Sequence, residues 1–311
     1  MLSKKLMIFG GSGFVGGNLA RIAGQKGWAV CVADNRPLLG AEWWSVNVAD
    51  PDMVEQAIDA VRPSAVVNVA AVADIDLAER ERDLARRVNV DGARTLAETC
   101  ARRGIRYVFF SSDAVFDGTG RNYAEADPPN PVNFYGRTKW EAEKAVLQVC
   151  PQAVIVRLSL VLGFAVSGGN SFVASLESKL QQGKAVLAPV DEIRTPVDVI
   201  TLCEAVLELC ESSFAGLIHI GATDSISRYD LTRKLARRMG YNEKLIEPMA
   251  PSVGAPDRAP RHKNGILSVA LAQSLLTTRL LSTDDGIKRA FSERQIRAGV
   301  PASDKEHDYD G

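Results

Sequence analysis

The chain has 311 residues, with 37 lysine and arginine residues against 38 aspartate and glutamate residues and a formal net charge of −1 at pH 7. This balance provides no overall field that would attract nucleic acid or an anionic membrane surface, so we expect neither as a partner. Hydrophobic residues make up 46% and charged residues 24% of the chain, which excludes a disordered protein and predicts a substantial buried core. At about 150 residues per domain, the length favours one large α/β unit with an appended lobe.

Cysteine usage indicates the cellular compartment. The five cysteines are scattered and include no Cys-x-x-Cys pair, so we expect reduced thiols in a cytoplasmic protein. Lys4 and Lys5 precede an apolar stretch, but glycines interrupt it at once and no membrane-spanning run follows. With only three histidines and no clustered cysteines, we expect no metal site.

Apolar runs and helical periodicity alternate along the first half of the chain. The predicted strands are residues 6–9, 29–33, 65–69, 107–111 and 154–158. The predicted helices are residues 14–26, 51–61, 77–103 and 133–148. The strands are continuous apolar runs, which is typical of a parallel sheet with helices on both faces. The predicted fold class is therefore α/β, with a doubly wound parallel sheet.

Beyond Leu160 the alternation loosens. The predicted elements there are helices at 171–182, 201–210 and 228–239, a late sheet strand at 217–220, a loop at 167–170, and loop or extended chain at 248–260. We assign residues 1–160 to the sheet domain, with residues 196–220 returning to it. Residues 161–195 and 221–301 form a smaller C-terminal lobe that would bind substrate. Residues 302–311 are expected to be a disordered tail.

Three glycines separate the first predicted strand from the first predicted helix. Glycine in such a turn lets the backbone approach a pyrophosphate, and the N-terminus of the following helix attracts its charge. A turn needed only for helix packing is the alternative, but the strand–turn–helix context favours dinucleotide binding in a Rossmann-type fold. The predicted contacts are Gly10, Ser12, Gly13, Phe14, Val15 and Gly16.

Asp34 ends the second predicted strand, where a carboxylate can bind the hydroxyls of the adenosine ribose. A carboxylate there favours NAD. Arg36 stands two residues later and could bind the 2′-phosphate of NADP, or it could be a solvated loop residue. The sequence leaves NAD and NADP both open, and Asn35 completes this predicted contact segment.

Tyr135 and Lys139 stand four residues apart on a predicted helix, so they share one face. A lysine ammonium beside a phenol stabilises the phenolate and lowers its pKa, which lets tyrosine exchange a proton with a substrate oxygen. Ser112 follows the fourth predicted strand and could hydrogen-bond the same oxygen. A helix-surface pair is the alternative, but the preceding dinucleotide motif and the serine favour a catalytic trio.

Together these motifs resemble the extended short-chain dehydrogenase/reductase family. The segments that carry the resemblance are residues 10–16, 68–71, 111–112 and 135–139. Within that family, residues 111–119, 125–131 and 135–139 look like the dTDP-4-dehydrorhamnose reductase branch. Further support comes from residues 194–196, 227–229 and 261–264.

The resemblance implies an NADPH- or NADH-dependent reductase of a nucleotide-activated 4-keto-6-deoxy sugar. Tyr135 would protonate the keto oxygen, Lys139 would bind the nicotinamide ribose, and Ser112 would polarise the carbonyl. It also implies cofactor contacts at Asn47, Val48, Ala70 and Ala71. The predicted substrate contacts are Ser112, Asp113, Arg194 and Arg261, although the two arginines could instead form surface or interdomain ion pairs.

Two other functions remain open at this point. An epimerase or dehydratase of the same superfamily would keep its cofactor bound and regenerate it, but a dehydratase would want a carboxylate pair beside the serine, and Asp113 supplies only one. The branch also resembles the regulatory β-subunit of methionine adenosyltransferase, which uses the dinucleotide fold without catalysis. The intact trio favours the reductase. A homodimer is compatible with the sequence, which determines neither the oligomeric state nor the sugar.

Overall fold

The computed structural model describes residues 4–38, 40–166, 171–249 and 258–297. The strands are β1 (Lys5–Phe9), β2 (Ala29–Asp34), β3 (Glu42–Ser45), β4 (Ala65–Asn68), β5 (Arg106–Ser112), β6 (Val154–Leu158), β7 (Val161–Leu162), β8 (Val186–Pro189), β9 (Ile193–Arg194), β10 (Val197–Asp198), β11 (Gly216–Ile220), β12 (Ile226–Ser227), β13 (Ile246–Met249) and β14 (Asn264–Gly265). The helices are α1 (Phe14–Gln25), α2 (Pro51–Val61), α3 (Ile75–Arg80), α4 (Arg82–Arg86), α5 (Gly92–Arg103), α6 (Phe134–Val149), α7 (Phe172–Gln181), α8 (Val199–Glu211), α9 (Arg228–Arg238), α10 (Ala270–Leu275) and α11 (Thr283–Arg297).

Seven parallel strands form the central sheet, in the order β3-β2-β1-β4-β5-β6-β11. The chain builds outward from β1 through β2 to β3 and then crosses to β4 on the other side of β1. The strand order therefore switches between β1 and β4, and ligands of such sheets bind outside the carboxyl ends of the strands at this point. The predicted doubly wound α/β fold is confirmed.

Two apolar clusters cover the two faces of this sheet. Leu6 and Ile8 of β1 pack with α1 and α8, whereas Met7 and Phe9 of the same strand pack with α2, α5 and α6. Successive side chains of a strand point to opposite faces, so the continuous apolar run of β1 is explained by burial on both sides. A third cluster joins α7, α9 and α11 with β8 and β13 in the C-terminal part of the chain.

The stretch predicted as helical at residues 77–103 is helical except at Glu81, but it is not one regular helix. The structure has α3 and α4, then a π-helical turn at Arg87–Asp91, and then α5. Helical propensity continues through this charged stretch, but the turn is held by tertiary contacts of the Asn89 side chain with Val72 and Thr138. Periodicity could not predict contacts with residues 17 and 49 positions away.

Other differences lie at weakly patterned segments. The edge strand β3 is mostly exposed and pairs with β2, and its short mixed sequence produced no strand prediction. The helices α10 and α11 were also missed. The start of the predicted loop or extended segment at 248–260 is extended, since Pro248 lies in the two-stranded β13–β8 sheet, where a missing N–H is tolerated. Residues 250–257, the predicted loop 167–170 and the predicted tail 302–311 lie outside the described residues.

Membrane, thiol and metal features can be stated for the described ranges. No helix in them is both long enough and apolar enough to cross a bilayer. All five cysteines are free and buried. In the same part of the chain, no group of three or more histidine, cysteine, aspartate or glutamate side chains is arranged to hold a metal ion.

Candidate active site

Close backbone packing defines the sheet edge at the switch point. Gly10 has a φ of 81°, and a Cβ added to it would lie 2.6 Å from the backbone nitrogen of Ala70. A Cβ added to Gly16 would lie 2.3 Å from the carbonyl oxygen of Gly10. Glycine at these two positions therefore lets the turn after β1, the start of α1 and the loop after β4 approach one another more closely than any side chain allows.

The N-terminus of α1 is available to an anion. Its N-cap is Gly13, which makes no side-chain hydrogen bond to the first turn, and that turn carries no acidic residue. The backbone N–H groups at the start of a helix lack intrahelical acceptors, and here they include those of Phe14 and Val15. Together with the helix dipole, they form a site that fits a pyrophosphate.

A cavity of about 390 Å³ opens beside this turn. The predicted cofactor residues that line it are Gly10, Ser12, Gly13, Asp34, Asn35, Arg36, Asn47, Val48, Ala70 and Ala71. They come from the loops after β1, β2, β3 and β4, which the parallel sheet brings to one edge. A dinucleotide fits this place for three reasons. The glycine turn leaves space beside the backbone, the N-terminus of α1 has no side-chain cap, and the cavity is lined by the predicted residues.

The Asp34 carboxylate faces the glycine turn. Its Oδ2 accepts hydrogen bonds from the Ser12 backbone N–H at 3.0 Å and from the Ser12 hydroxyl at 2.8 Å, and its Oδ1 accepts one from the Asn35 N–H at 2.7 Å. Asp34 therefore braces the turn as well as lining the cavity. Arg36 is exposed at the same cavity, where its guanidinium can meet a phosphate.

The structure brings Ser112, Tyr135 and Lys139 into one site. Asn133 caps α6 by accepting a hydrogen bond from the Gly136 N–H at 2.8 Å. A Cβ on Gly136 would lie 2.0 Å from the Ala114 carbonyl oxygen, so this glycine lets α6 approach the turn after β5. The Ser112 hydroxyl lies close enough to Tyr135 to act on the pKa of its phenol. Lys139 is 3% exposed, and its Nζ lies 4.6 Å from the centroid of the Phe109 ring.

Burial governs the protonation of the tyrosine and the lysine. It raises the pKa of Tyr135 to about 12, with the Ser112 hydroxyl acting against this and the Asp113 charge adding to it. It lowers the pKa of Lys139 to about 8, against the charge of Glu143. In this structure desolvation of the phenolate dominates, so the net shift of the Tyr135 pKa is opposite to the lowering predicted from Lys139. Near neutral pH Tyr135 is therefore a phenol with a proton to donate.

Asp113 lies beside Ser112 and is anchored on its other side. Its Oδ1 accepts the Ser112 hydroxyl at 3.1 Å, and its Oδ2 accepts the Ser159 hydroxyl at 2.6 Å. Oδ2 also lies 3.3 Å from His262 Nε2 and 3.6 Å from Arg194 Nε. Burial raises the pKa of Asp113, but His262 and Arg194 outweigh it and hold the value at about 2. Asp113 is therefore ionised at neutral pH.

The two arginines predicted to contact substrate form ion pairs within the protein. Arg194 is 7% exposed, lies near Asp113, and places its second terminal nitrogen 3.5 Å from a Glu192 carboxylate oxygen. Arg261 lies 2.8 Å from an Asp76 carboxylate oxygen. Both arrangements match the ion-pair alternative, and contact with a substrate phosphate stays a prediction.

Sequence reasoning missed three residues, one in α4 and two in the π-helical turn that follows it. Leu84 and Val88 line the cavity. The Asn89 Oδ1 accepts the Val72 N–H at 2.8 Å, while its Nδ2 donates to the Val72 carbonyl at 3.2 Å and to the Thr138 hydroxyl at 3.0 Å. Asn89 thus ties the loop after β4 to α6 next to Lys139. A lone asparagine between two valines in a charged helix was the available signal, and π-helical turns often occur at functional sites.

Comparison with known proteins places this geometry in a family. The family model described as the RmlD substrate binding domain matches residues 4–296. The chain belongs to this family. The resemblance inferred from the glycine turn, the Ser111–Ser112 pair and the Tyr135–Lys139 pair is therefore confirmed as an RmlD-like member of the extended short-chain dehydrogenases/reductases.

Two curated relatives and one solved structure illustrate the match. The chain is 32% identical over 273 residues to dTDP-4-dehydrorhamnose reductase of Mycobacterium tuberculosis, covering 86% of this chain and 85% of that one. It is 30% identical over 262 residues to methionine adenosyltransferase 2 subunit beta of Bos taurus, covering 81% and 78%. The crystal structure of dTDP-4-dehydrorhamnose reductase from Bacillus anthracis in complex with NADP matches with a TM-score of 0.83 and 26% identity, covering 94% of this chain and 100% of that one.

Proposed function

We propose that the protein is an NADPH- or NADH-dependent reductase of a nucleotide-activated 4-keto-6-deoxy sugar, of the dTDP-4-dehydrorhamnose reductase type. The observation that carries the proposal is the grouping of Ser112 and Tyr135 with the buried Lys139, at the same carboxyl edge of the sheet as a cavity that fits a dinucleotide. The reductases among the relatives support it, one of them solved with NADP.

The chain's own residues would supply proton transfer and positioning. When bound, a reduced nicotinamide supplies the hydride. Tyr135 protonates the keto oxygen as negative charge develops on it, because its high pKa keeps the phenol protonated beforehand. Ser112 polarises the carbonyl, and the Lys139 ammonium holds the nicotinamide ribose and stabilises the phenolate that remains.

The C-terminal part of the chain would hold the sugar nucleotide. We propose that residues 161–195 and 221–301 form the substrate-binding lobe, with residues 1–160 and 196–220 as the dinucleotide-binding domain. Arg194 and Arg261 would then exchange part of their ion pairing for a diphosphate, since guanidinium groups bind phosphate oxygens in pairs. Asp113 would contact the sugar next to Ser112.

The other enzymatic and non-enzymatic functions have less support. A dehydratase needs a carboxyl group that can give up a proton, whereas Asp113 is held ionised by His262 and Arg194. A regulatory subunit is favoured by one observation, the 30% identity to methionine adenosyltransferase 2 subunit beta. The trio of Ser112, Tyr135 and Lys139 favours the reductase over the regulatory subunit.

Turnover of a keto sugar tests the proposal directly. Purified protein is mixed with a dTDP-4-keto-6-deoxy sugar and NADPH or NADH in parallel, and the absorbance of the reduced nicotinamide is followed. We expect oxidation of the cofactor and a product whose mass has increased by the hydride and the proton. Binding of the cofactor without oxidation would contradict the reductase, and capture of a methionine adenosyltransferase catalytic subunit would then support the regulatory function.

Arg36→Ala is expected to weaken NADPH binding by about tenfold and to leave NADH binding nearly unchanged, because NADPH alone would lose a charge-assisted contact with its 2′-phosphate. The dissociation constants are measured by the fluorescence of each reduced cofactor, so that NADH is the matched control. An equal effect on both cofactors would remove Arg36 from the adenosine site.

A further inference from the structure

Buried charges continue along α6 beyond Lys139. Glu143 lies one turn further on the helix face that carries Tyr135 and Lys139, and it is 3% exposed. Arg157 of β6 is 2% exposed and donates to both Glu143 oxygens, from Nε at 2.8 Å and from its terminal nitrogen at 2.7 Å. The Ser111 hydroxyl also donates to Glu143. One carboxylate therefore joins α6, β5 and β6 one helical turn from Lys139.

Fold stability alone is a weak reason for this arrangement. Both ions lose their hydration when they are buried, so a buried ion pair is often no more stabilising than apolar side chains of the same size. The charge of the Glu143 carboxylate instead acts on Lys139, whose ammonium lies against the Phe109 ring. Burial lowers the pKa of Lys139 to about 8, and the negative charge of Glu143 acts in the opposite direction.

We propose that Glu143, fixed by Arg157 and Ser111 one helical turn from Lys139, is a positioning residue whose charge favours the ammonium form of Lys139 at the active site. The catalytic use of that ammonium rests on the proposed function, but the coupling of Glu143 to Lys139 does not. Because Arg157 holds both carboxylate oxygens, the charge of Glu143 stays at one place relative to α6. The carboxylate thus acts on the reaction through Lys139 without touching substrate.

The surroundings of Lys139 identify Glu143 as the source of this effect. Tyr135 and Glu143 share its face of α6, Arg157 of β6 pairs with Glu143, and the charged side chains of the π-helical turn, Arg87 and Asp91, are exposed. The π-helical turn contributes the neutral Asn89, which donates to Thr138. Asp113 acts on Tyr135 and lies beside Arg194. Glu143 is the group whose charge favours the protonated form of Lys139.

The pKa of Lys139 can be measured without any sugar or cofactor. The protein is labelled with lysine carrying carbon-13 at Cε, and the Lys139 resonance is the one that disappears in Lys139→Met. In Glu143→Gln, which keeps the side-chain shape and removes the charge, we expect Lys139 to titrate about one pH unit lower than in the wild type. Glu141→Gln is the matched control, because Glu141 lies on the same helix in a more exposed pair with Arg86 and should leave Lys139 unchanged.

A second variant covers the case in which Glu143→Gln does not fold. Glu143→Asp retracts the charge by one methylene, so Lys139 should titrate between the wild-type and Gln values. The proposal is overturned if Lys139 titrates as in the wild type in a folded Glu143→Gln variant. If that variant is unfolded, the same result in Glu143→Asp overturns it.

Activity provides a separate readout. The pH at which kcat/KM declines on the alkaline side should fall by about one unit in Glu143→Gln, whereas a purely structural contact would lower stability without moving that pH. A shifted Lys139 titration without turnover of any keto sugar would support the coupling and count against the proposed function. Unshifted titration with full turnover would do the reverse.

Discussion

Tyr135→Phe is expected to lower kcat by about 100-fold or more while leaving the dissociation constant of the cofactor nearly unchanged. Phenylalanine keeps the ring and its packing but removes the hydroxyl on which Ser112 acts. In the proposed mechanism, that hydroxyl is the proton donor. The measurement is kcat and KM from oxidation of the reduced nicotinamide, with cofactor affinity from a fluorescence titration.

Tyr241→Phe is the matched control for this substitution. Tyr241 packs against the apolar cluster of α7, α9 and α11 and is not among the residues assigned to the active site, so the same atom is removed elsewhere and kcat should stay at its wild-type value. Wild-type turnover by Tyr135→Phe would contradict the assigned proton donor. A large loss of cofactor affinity in Tyr135→Phe would instead indicate that the tyrosine acts mainly in binding.

Gly16→Ala is expected to weaken cofactor binding by about tenfold to 100-fold and to lower the unfolding temperature. The new Cβ would lie 2.3 Å from the Gly10 carbonyl oxygen and 2.7 Å from the Gly11 Cα. Both neighbours are backbone atoms, so the turn itself must shift, and with it the N–H groups that would bind the pyrophosphate. Fluorescence titration with NADPH and thermal unfolding measure the two effects.

Gly24→Ala provides the control on the same helix. Apart from its chain neighbours and the nearby backbone of its own helix, no heavy atom lies within 4 Å of a Cβ added to Gly24. In the unfolded chain, alanine has fewer accessible conformations than glycine, so less entropy is lost on folding. We therefore expect unchanged cofactor affinity and a gain of about 0.4–1 kcal/mol in the free energy of unfolding. Wild-type affinity in Gly16→Ala would show that the close approach of α1 to the turn is not needed for binding.

Much of the candidate site could be predicted because its residues directly follow strands. Gly10, Asp34, Ala70 and Ser112 each stand at or just beyond the carboxyl end of a strand of the parallel sheet. A doubly wound sheet brings such positions to one edge, so strand prediction was enough to group residues that are far apart in the chain. The four-residue spacing of Tyr135 and Lys139 placed them on one helix face in the same way.

The π-helical turn could not be predicted from local sequence patterns. Local propensity predicted one helix over residues 77–103, and it could not register that the Asn89 side chain hydrogen-bonds the backbone of Val72 and the hydroxyl of Thr138. Those bonds depend on how the loop after β4 and α6 are placed by the rest of the fold. The cavity residues Leu84 and Val88 were missed for the same reason.

The sequence by itself determined the doubly wound sheet and the glycine turn and led to the proposed trio of Ser112, Tyr135 and Lys139, since each depends on short-range spacing and on the order of elements along the chain. Only the tertiary structure decided the electrostatics. It raised the pKa of Tyr135 where a lowering was predicted, paired Arg194 and Arg261 with carboxylates, and joined Glu143 to Arg157 one helical turn from Lys139. Desolvation and ion pairing depend on what distant segments place around a charge, and no local pattern encodes that.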